Sequence, residues 1–155
     1  MRLVVRSFTL GVAAGGRAST ALLVPLEIAA GRRRPGAARW LARAALVGEL
    51  VGDKLPATPS RLGAPQLVGR LVAGALGGGA LAGVEGAGPF GVAVGSVVGT
   101  AGAFVGSVAG ASWRQWAADE GPEQLHPDLR AALVEDAVVL TAAGALVAGG
   151  RAARW

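Results

Sequence analysis

Six charged residues stand within apolar stretches of this chain or at their ends: Arg17, Glu49, Asp53, Arg70, Glu135 and Asp136. A charge near the centre of a bilayer costs about 2.5–3.5 kcal/mol on insertion scales, so such residues face a partner or a water-filled cavity. Glu49 and Asp53 are four apart and share one face of a continuous helix. Glu135 and Asp136 fall about two turns into the last apolar segment. Carboxylates brought together in dry surroundings raise the pKa of one of them, which is the chemistry of a proton- or cation-exchange site, with Arg17 and Arg70 as counter-ions or anion ligands. The structural alternative is a set of bridges that fix helix register, Arg17 with Glu49 or Asp136 and Arg70 with Asp53 or Glu135.

The most distinctive local string, Asp53-Lys54-Leu55-Pro56-Ala57-Thr58-Pro59-Ser60-Arg61, is held extended by its two prolines. Lys54 and Arg61 there can grip lipid phosphates or an anionic solute, or serve as snorkelling anchors of a rigid connection. Gly86-Ala87-Gly88-Pro89-Phe90-Gly91 matches a dinucleotide-binding pattern by letter but lacks a βαβ context. Cysteine is absent, which excludes disulfides and thiolate chemistry, and His126, in His126-Pro127-Asp128, reads as a helix entry. The acidic residues suit a hard cation, but their spacing matches no metal motif. With no Ser/His or His/Glu pairing the chain is read as a non-enzyme, and no metal or cofactor is expected.

These residues must be positioned by helices. The run 86–112 carries no charged residue, and Gly91, Gly95 and Gly99, like Gly102, Gly106 and Gly110, recur every four residues, which predicts a lipid-embedded helix packed closely on its neighbours. Five segments can be drawn. The first covers 3–30, long enough to span with a tilt or with a break at Gly15-Gly16 or Pro25, and Arg17 lies deep inside it. The basic turn Arg32-Arg33-Arg34-Pro35-Gly36 ends it. The second, 37–55, carries Arg39, Arg43 and Glu49 and is either a span lining a polar interior or an interfacial helix. Pro65 and Pro89 open the third and fourth, as proline suits a first helical turn. Trp113-Arg114-Gln115-Trp116 marks a membrane boundary with the arginine just outside it. An acidic loop over 119–128 follows, and the fifth segment runs from near Pro127 to Gly150 with Arg151, Arg154 and Trp155 as an anchor.

Composition agrees: 52% of residues are apolar, mean hydropathy is +0.50, and the 26 glycines of the 155 residues lie in apolar stretches. The fold class expected is an all-α, polytopic membrane helix bundle of four to five glycine-rich transmembrane helices, one domain over residues 1–155, with the second helix broken or interfacial. The net charge of +5 does not indicate nucleic acid, because the arginines flank apolar segments and no basic patch is interleaved with aromatics. The N-terminus reads as the start of the first helix, since Arg6 interrupts any signal-peptide core. Arginine enrichment of cytoplasmic loops places Arg32 to Arg34 in the cytoplasm. An interfacial second helix would put residues 32–70 and Arg114 on that same side.

Glu49-Leu50-Val51-Gly52-Asp53-Lys54-Leu55-Pro56 with Pro59-Ser60-Arg61, followed by Arg70 and Gly74, and flanked by Arg17-Ala18-Ser19 and Glu135-Asp136-Ala137, resembles an uncharacterised family of small bacterial integral membrane proteins, a domain of unknown function. The resemblance covers nearly the whole chain and implies Gly-Ala-rich membrane helices between the polar motifs. The second helix is more apolar in that family than here, which favours a span. The resemblance implies no activity or ligand. Two functions remain: a small transporter or channel-like protein of the cell membrane, using the carboxylate and arginine set, or a non-catalytic scaffold that binds lipid or oligomerises through Gly91, Gly95 and Gly99. Membrane lipids and a second copy of the chain are the expected partners.

Overall fold

A computed structural model describes residues 1–31, 36–52, 63–125 and 128–152. They form six α-helices: α1 Arg2–Gly16, α2 Thr20–Ala30, α3 Ala37–Gly52, α4 Ala64–Val84, α5 Pro89–Asp119 and α6 Asp128–Ala152. A 3₁₀ turn, Glu123–Leu125, precedes α6. Three helices are long and apolar enough to cross a membrane: α4, α5 and Leu129–Ala152 within α6. Pro65 and Pro89 lie in the first turns of α4 and α5, where a missing N–H costs nothing.

The segment expected over 3–30 is broken into two helices at Gly15-Gly16, one of the two breakpoints its sequence offered. The chain breaks after Gly16, and α2 then runs back alongside α1. The reversal is visible against α6: Gly16 lies beside Val139, Arg6 reaches Gly149 and Gly150 near the far end, and Ile28 of α2 returns to Gly150. Pro25, the other expected breakpoint, is accommodated inside a continuous α2. At 1.5 Å per residue α2 is about 16 Å long, so α1 and α2 make a short hairpin rather than one long rod. The six helices alternate in direction, with α1, α3 and α5 running one way and α2, α4 and α6 the other.

The glycine rows explain why α5 is the centre of this bundle. A Cβ on Gly95 or Gly99 would overlap the carbonyls of Gly78 and Gly74 on α4, and one on Gly102 or Gly106 would overlap those of Phe8 and Val12 on α1. Backbones therefore touch on two sides of α5, the contact that small residues at spacing four permit. Ser107 Oγ donates to Gly15 O at 3.4 Å, and Ser7 Oγ to Gly78 O at 3.5 Å, tying these faces together. The close approach that the glycine spacing predicts is made within the chain at Gly95 and Gly99. Gly91 meets only Ala87 and Leu3, and Gly110 lines a groove between α1, α5 and α6. The apolar core of Leu10, Val24, Ile28, Leu81, Ala143 and Leu146 lies where the hairpin packs on α4 and α6.

Helix α3 has the reverse of a soluble amphipathic arrangement. Arg39 and Ala42 are buried towards α2, while Trp40, Leu41, Val47 and Val51 are exposed. Large apolar side chains are also exposed along α4, α5 and α6, among them Leu76, Val97, Phe104 and Val138. A surface this apolar suits lipid rather than water.

Candidate functional site

The turn at Arg17-Ala18-Ser19 is the feature around which the polar side chains gather. A chain reversal leaves carbonyls at the end of one helix and N–H groups at the start of the next without helical partners, and in apolar surroundings these must be satisfied by protein. Here charged side chains do so from both sides. Arg70, on the first turns of α4, donates through Nη1 to Gly15 O at 2.5 Å and Gly16 O at 2.7 Å. Glu49, near the end of α3, accepts from Ala18 N and Ser19 N, both at 2.9 Å, and from Ser19 Oγ at 2.7 Å. Arg70 Nη2 and Glu49 Oε1 are 3.6 Å apart, so the two capping groups also neutralise each other. Thr20 Oγ1 closes the turn by donating to Arg17 O at 2.7 Å.

Arg17 points the other way, into α6. Its Nε donates to Asp136 Oδ1 at 2.8 Å, and its Nη2 bonds the same oxygen. The two side chains are 1% and 7% exposed, which makes this the driest ion pair of the set. Glu135 pairs with Arg114 of α5 at 3.2 Å. Its neighbour Trp113 donates Nε1 to Ala131 O at 3.0 Å, which sets the register of α5 against α6. Arg114, read from sequence as an anchor outside the membrane, is therefore a partner of an intramembrane candidate. The cluster lies towards the Trp113 end of the bundle. On α6, Asp136 is only about 7 Å along the axis from Ala131.

Of the expected residues, Arg17, Glu49, Arg70, Glu135 and Asp136 do converge around this turn. Of the two partners expected for Arg17, Asp136 is the one it bonds, and Arg70 meets Glu49, a partner the sequence reading did not assign to it. Asp53, Lys54 and Arg61, with the rest of the Pro-rich string, lie outside the described residues, as do Arg32 to Arg34 and His126. Among the described residues no three His, Asp or Glu side chains come together in a metal-binding group.

A second polar cluster, at the opposite end of the bundle, escaped the sequence analysis. Glu27 of α2 accepts from Arg39 Nη2 at 2.6 Å, from Arg43 Nη2 at 2.6 Å and Nε at 2.9 Å, and from Arg151 Nη2 at 2.8 Å. Arg151 also donates to the Glu27 carbonyl, at 3.2 Å from Nε and 3.1 Å from Nη2, which caps the end of α2. A signal was present: Glu27 is the single acidic residue in the first 48, which hold eight arginines. At the same end Arg6 pairs with Glu85 at 2.5 Å and donates to Leu146 O at 2.8 Å. Arg39 and Arg70 therefore lie at opposite ends of the bundle, not on one side as an interfacial second helix would require.

Comparison of the chain with protein-family models, with curated proteins and with solved structures found no match.

Proposed function

We propose that this chain is a multi-pass protein of the bacterial cell membrane without catalytic activity, in which the buried charges hold a re-entrant α1–α2 hairpin in place and function is exercised at the lipid-facing surface. The observation that carries this reading is the Arg17–Asp136 pair, whose side chains are 1% and 7% exposed. A proton or ion path needs groups that water can reach, whereas a pair this dry fixes the position of one helix on another. The other carboxylates of both clusters are likewise engaged by arginine, and Glu49 and Arg70 satisfy the backbone of the turn. Helix α3, with charges inward and apolar side chains outward, supports placement in lipid.

A small transporter or channel is the second reading. It is favoured by the meeting of Arg17, Arg70 and Arg114 with Glu49, Glu135 and Asp136 at one unwound turn, since broken helices form the binding sites of many transporters. Proton and monovalent-cation flux into proteoliposomes separates the two. Wild-type protein that leaves permeability at the level of protein-free vesicles supports the structural reading. Flux above that level, abolished in Glu49→Gln and in Asp136→Asn variants that still fold, overturns it in favour of transport.

A further inference from the structure

An apolar groove of about 370 Å³ runs between α2, α3 and α6, lined by Leu23, Val24, Leu46, Leu140, Gly144 and Val147. One end of it is closed by Glu27 and Arg151. There, three guanidinium groups surround one carboxylate: Arg39, Arg43 and Arg151 on Glu27. Two of the three remain within reach of a ligand, because the side chains of Arg43 and Arg151 are 39% and 34% exposed. Arg43 also lies over the ring of Trp40, 5.5 Å from its centroid, and Trp40 is itself 60% exposed. Tryptophan and arginine placed together in this way mark the headgroup level of a bilayer.

We propose that this groove holds one acyl chain of an anionic phospholipid, with the lipid phosphate resting on Arg43 and Arg151 at the Glu27 cluster. The proposal rests on the membrane-embedded reading above and adds to it a lipid class and a site. Charge decides the class. Glu27 neutralises one of three arginines, so the described residues at the mouth carry an excess of positive charge that a zwitterionic headgroup balances poorly and an anionic one balances well. Shape decides that the ligand is a lipid rather than a free anion. The charge stands at the end of an apolar trough that runs along the helices, and the trough has room because α6 passes it with glycine at 144. Gly144 meets nothing within 4 Å of where a Cβ would stand.

The test is native mass spectrometry of the full chain released from detergent micelles after addition of phosphatidylglycerol or of phosphatidylcholine with the same acyl chains. Wild-type protein should retain phosphatidylglycerol preferentially. Arg43→Gln and Arg151→Gln should each weaken that retention by roughly fivefold, the usual worth of one arginine near an anionic headgroup. Gly144→Leu leaves every arginine in place but fills the trough, and should also release the lipid. It is the variant that keeps the test decisive if an arginine variant folds poorly. Equal retention of both lipids, or retention unchanged in Gly144→Leu, overturns the proposal. Displacement of the lipid by inorganic phosphate at the same concentration would show a free-anion site and also overturn it. Recovery of the wild-type chain from cell membranes is measured in parallel. Protein that resides in membranes but shows no anionic preference removes this proposal alone, and protein that does not reside there removes the membrane-embedded reading as well.

Discussion

Arg17 Nε stands 2.8 Å from Asp136 Oδ1, linking the turn between α1 and α2 to a helix that begins more than one hundred residues later in the chain. The bond decides where the hairpin stops. Arg17 ends α1 in an extended conformation, its N–H still bonded to Ala13 O, so the side chain leaves the helix sideways towards α6. Without an acidic partner at that depth the arginine would be buried and unpaired, and the turn would have no reason to sit inside the bundle.

Breaking this pair should be costly from either side. Removing one member of a buried ion pair costs about 3–5 kcal/mol, because the remaining charge is left in an apolar site. Asp136→Asn and Arg17→Met should therefore each lower the thermal midpoint in detergent sharply, while the double variant Arg17→Met/Asp136→Leu recovers much of the loss. Single variants that melt like the wild type would show that the pair does not hold the hairpin.

Glu49 should govern the turn without greatly affecting the rest of the bundle, since α3 packs chiefly on α2. Glu49→Ala leaves the N–H groups of Ala18 and Ser19 without their acceptor, at about 1–3 kcal/mol for each buried group left unsatisfied. Hydrogen exchange read by mass spectrometry should accelerate over residues 17–20 and remain slow in α5. Uniform acceleration along the chain would mean that Glu49 supports the whole fold.

Two glycines should respond in opposite ways to the same substitution. Gly99→Ala drives a methyl into the Gly74 carbonyl and must push α4 away from α5, whereas Gly144→Ala adds a methyl to open space. The first should destabilise by a few times the second effect, and the second should stabilise by about 0.5–1 kcal/mol through helix propensity. Thermal unfolding of the two variants in one detergent is the comparison. A destabilised Gly144→Ala would mean that α6 packs more tightly there than its surroundings indicate.

An orientation is expected from the charges at the two ends of the bundle. Among the described residues Arg2, Arg6, Arg39, Arg43 and Arg151 share one end with only Glu27 and Glu85, while at the other Arg17, Arg70, Arg114 and Arg130 are outnumbered by Glu49, Asp119, Glu120, Glu123, Glu135 and Asp136. Arginine-rich ends face the cytoplasm. Because the chain has no cysteine, single cysteines report sidedness without background. Gly88→Cys in the α4–α5 turn should react with an impermeant maleimide only in inverted vesicles, and Glu123→Cys only in intact cells freed of their outer layers. The reverse pattern would invert the assignment.

Much of this architecture was legible in the residues because it is local. Pro65 and Pro89 begin helices for a reason internal to their own first turns. The spacing of Gly95, Gly99, Gly102 and Gly106 told that backbones would come close, since a row of missing side chains has no other use at that spacing. That polar residues in apolar segments need partners is likewise a matter of solvation alone. The sequence by itself therefore determined most of the helices, their apolar surfaces and five of the charged residues that meet at the turn, Arg17, Glu49, Arg70, Glu135 and Asp136.

Which of them meet was decided by the tertiary structure. An apolar period of 3.6 residues is the same whether two consecutive helices continue in line or fold back, so residues 3–30 looked like one segment. The reversal at Arg17 depends on Arg70 and Glu49 arriving from α4 and α3 to satisfy a backbone that could not stay helical. Partner choice depends on which helices flank the turn, which no spacing within a helix reports: Asp136 and Glu135 arrive on α6 to meet Arg17 and Arg114, while Glu49 arrives on α3 beside Arg70. Glu27 shows the same limit, because its three arginines come from α3 and from the end of α6, elements brought together only when the hairpin returns α2 to the end of the bundle where the chain began.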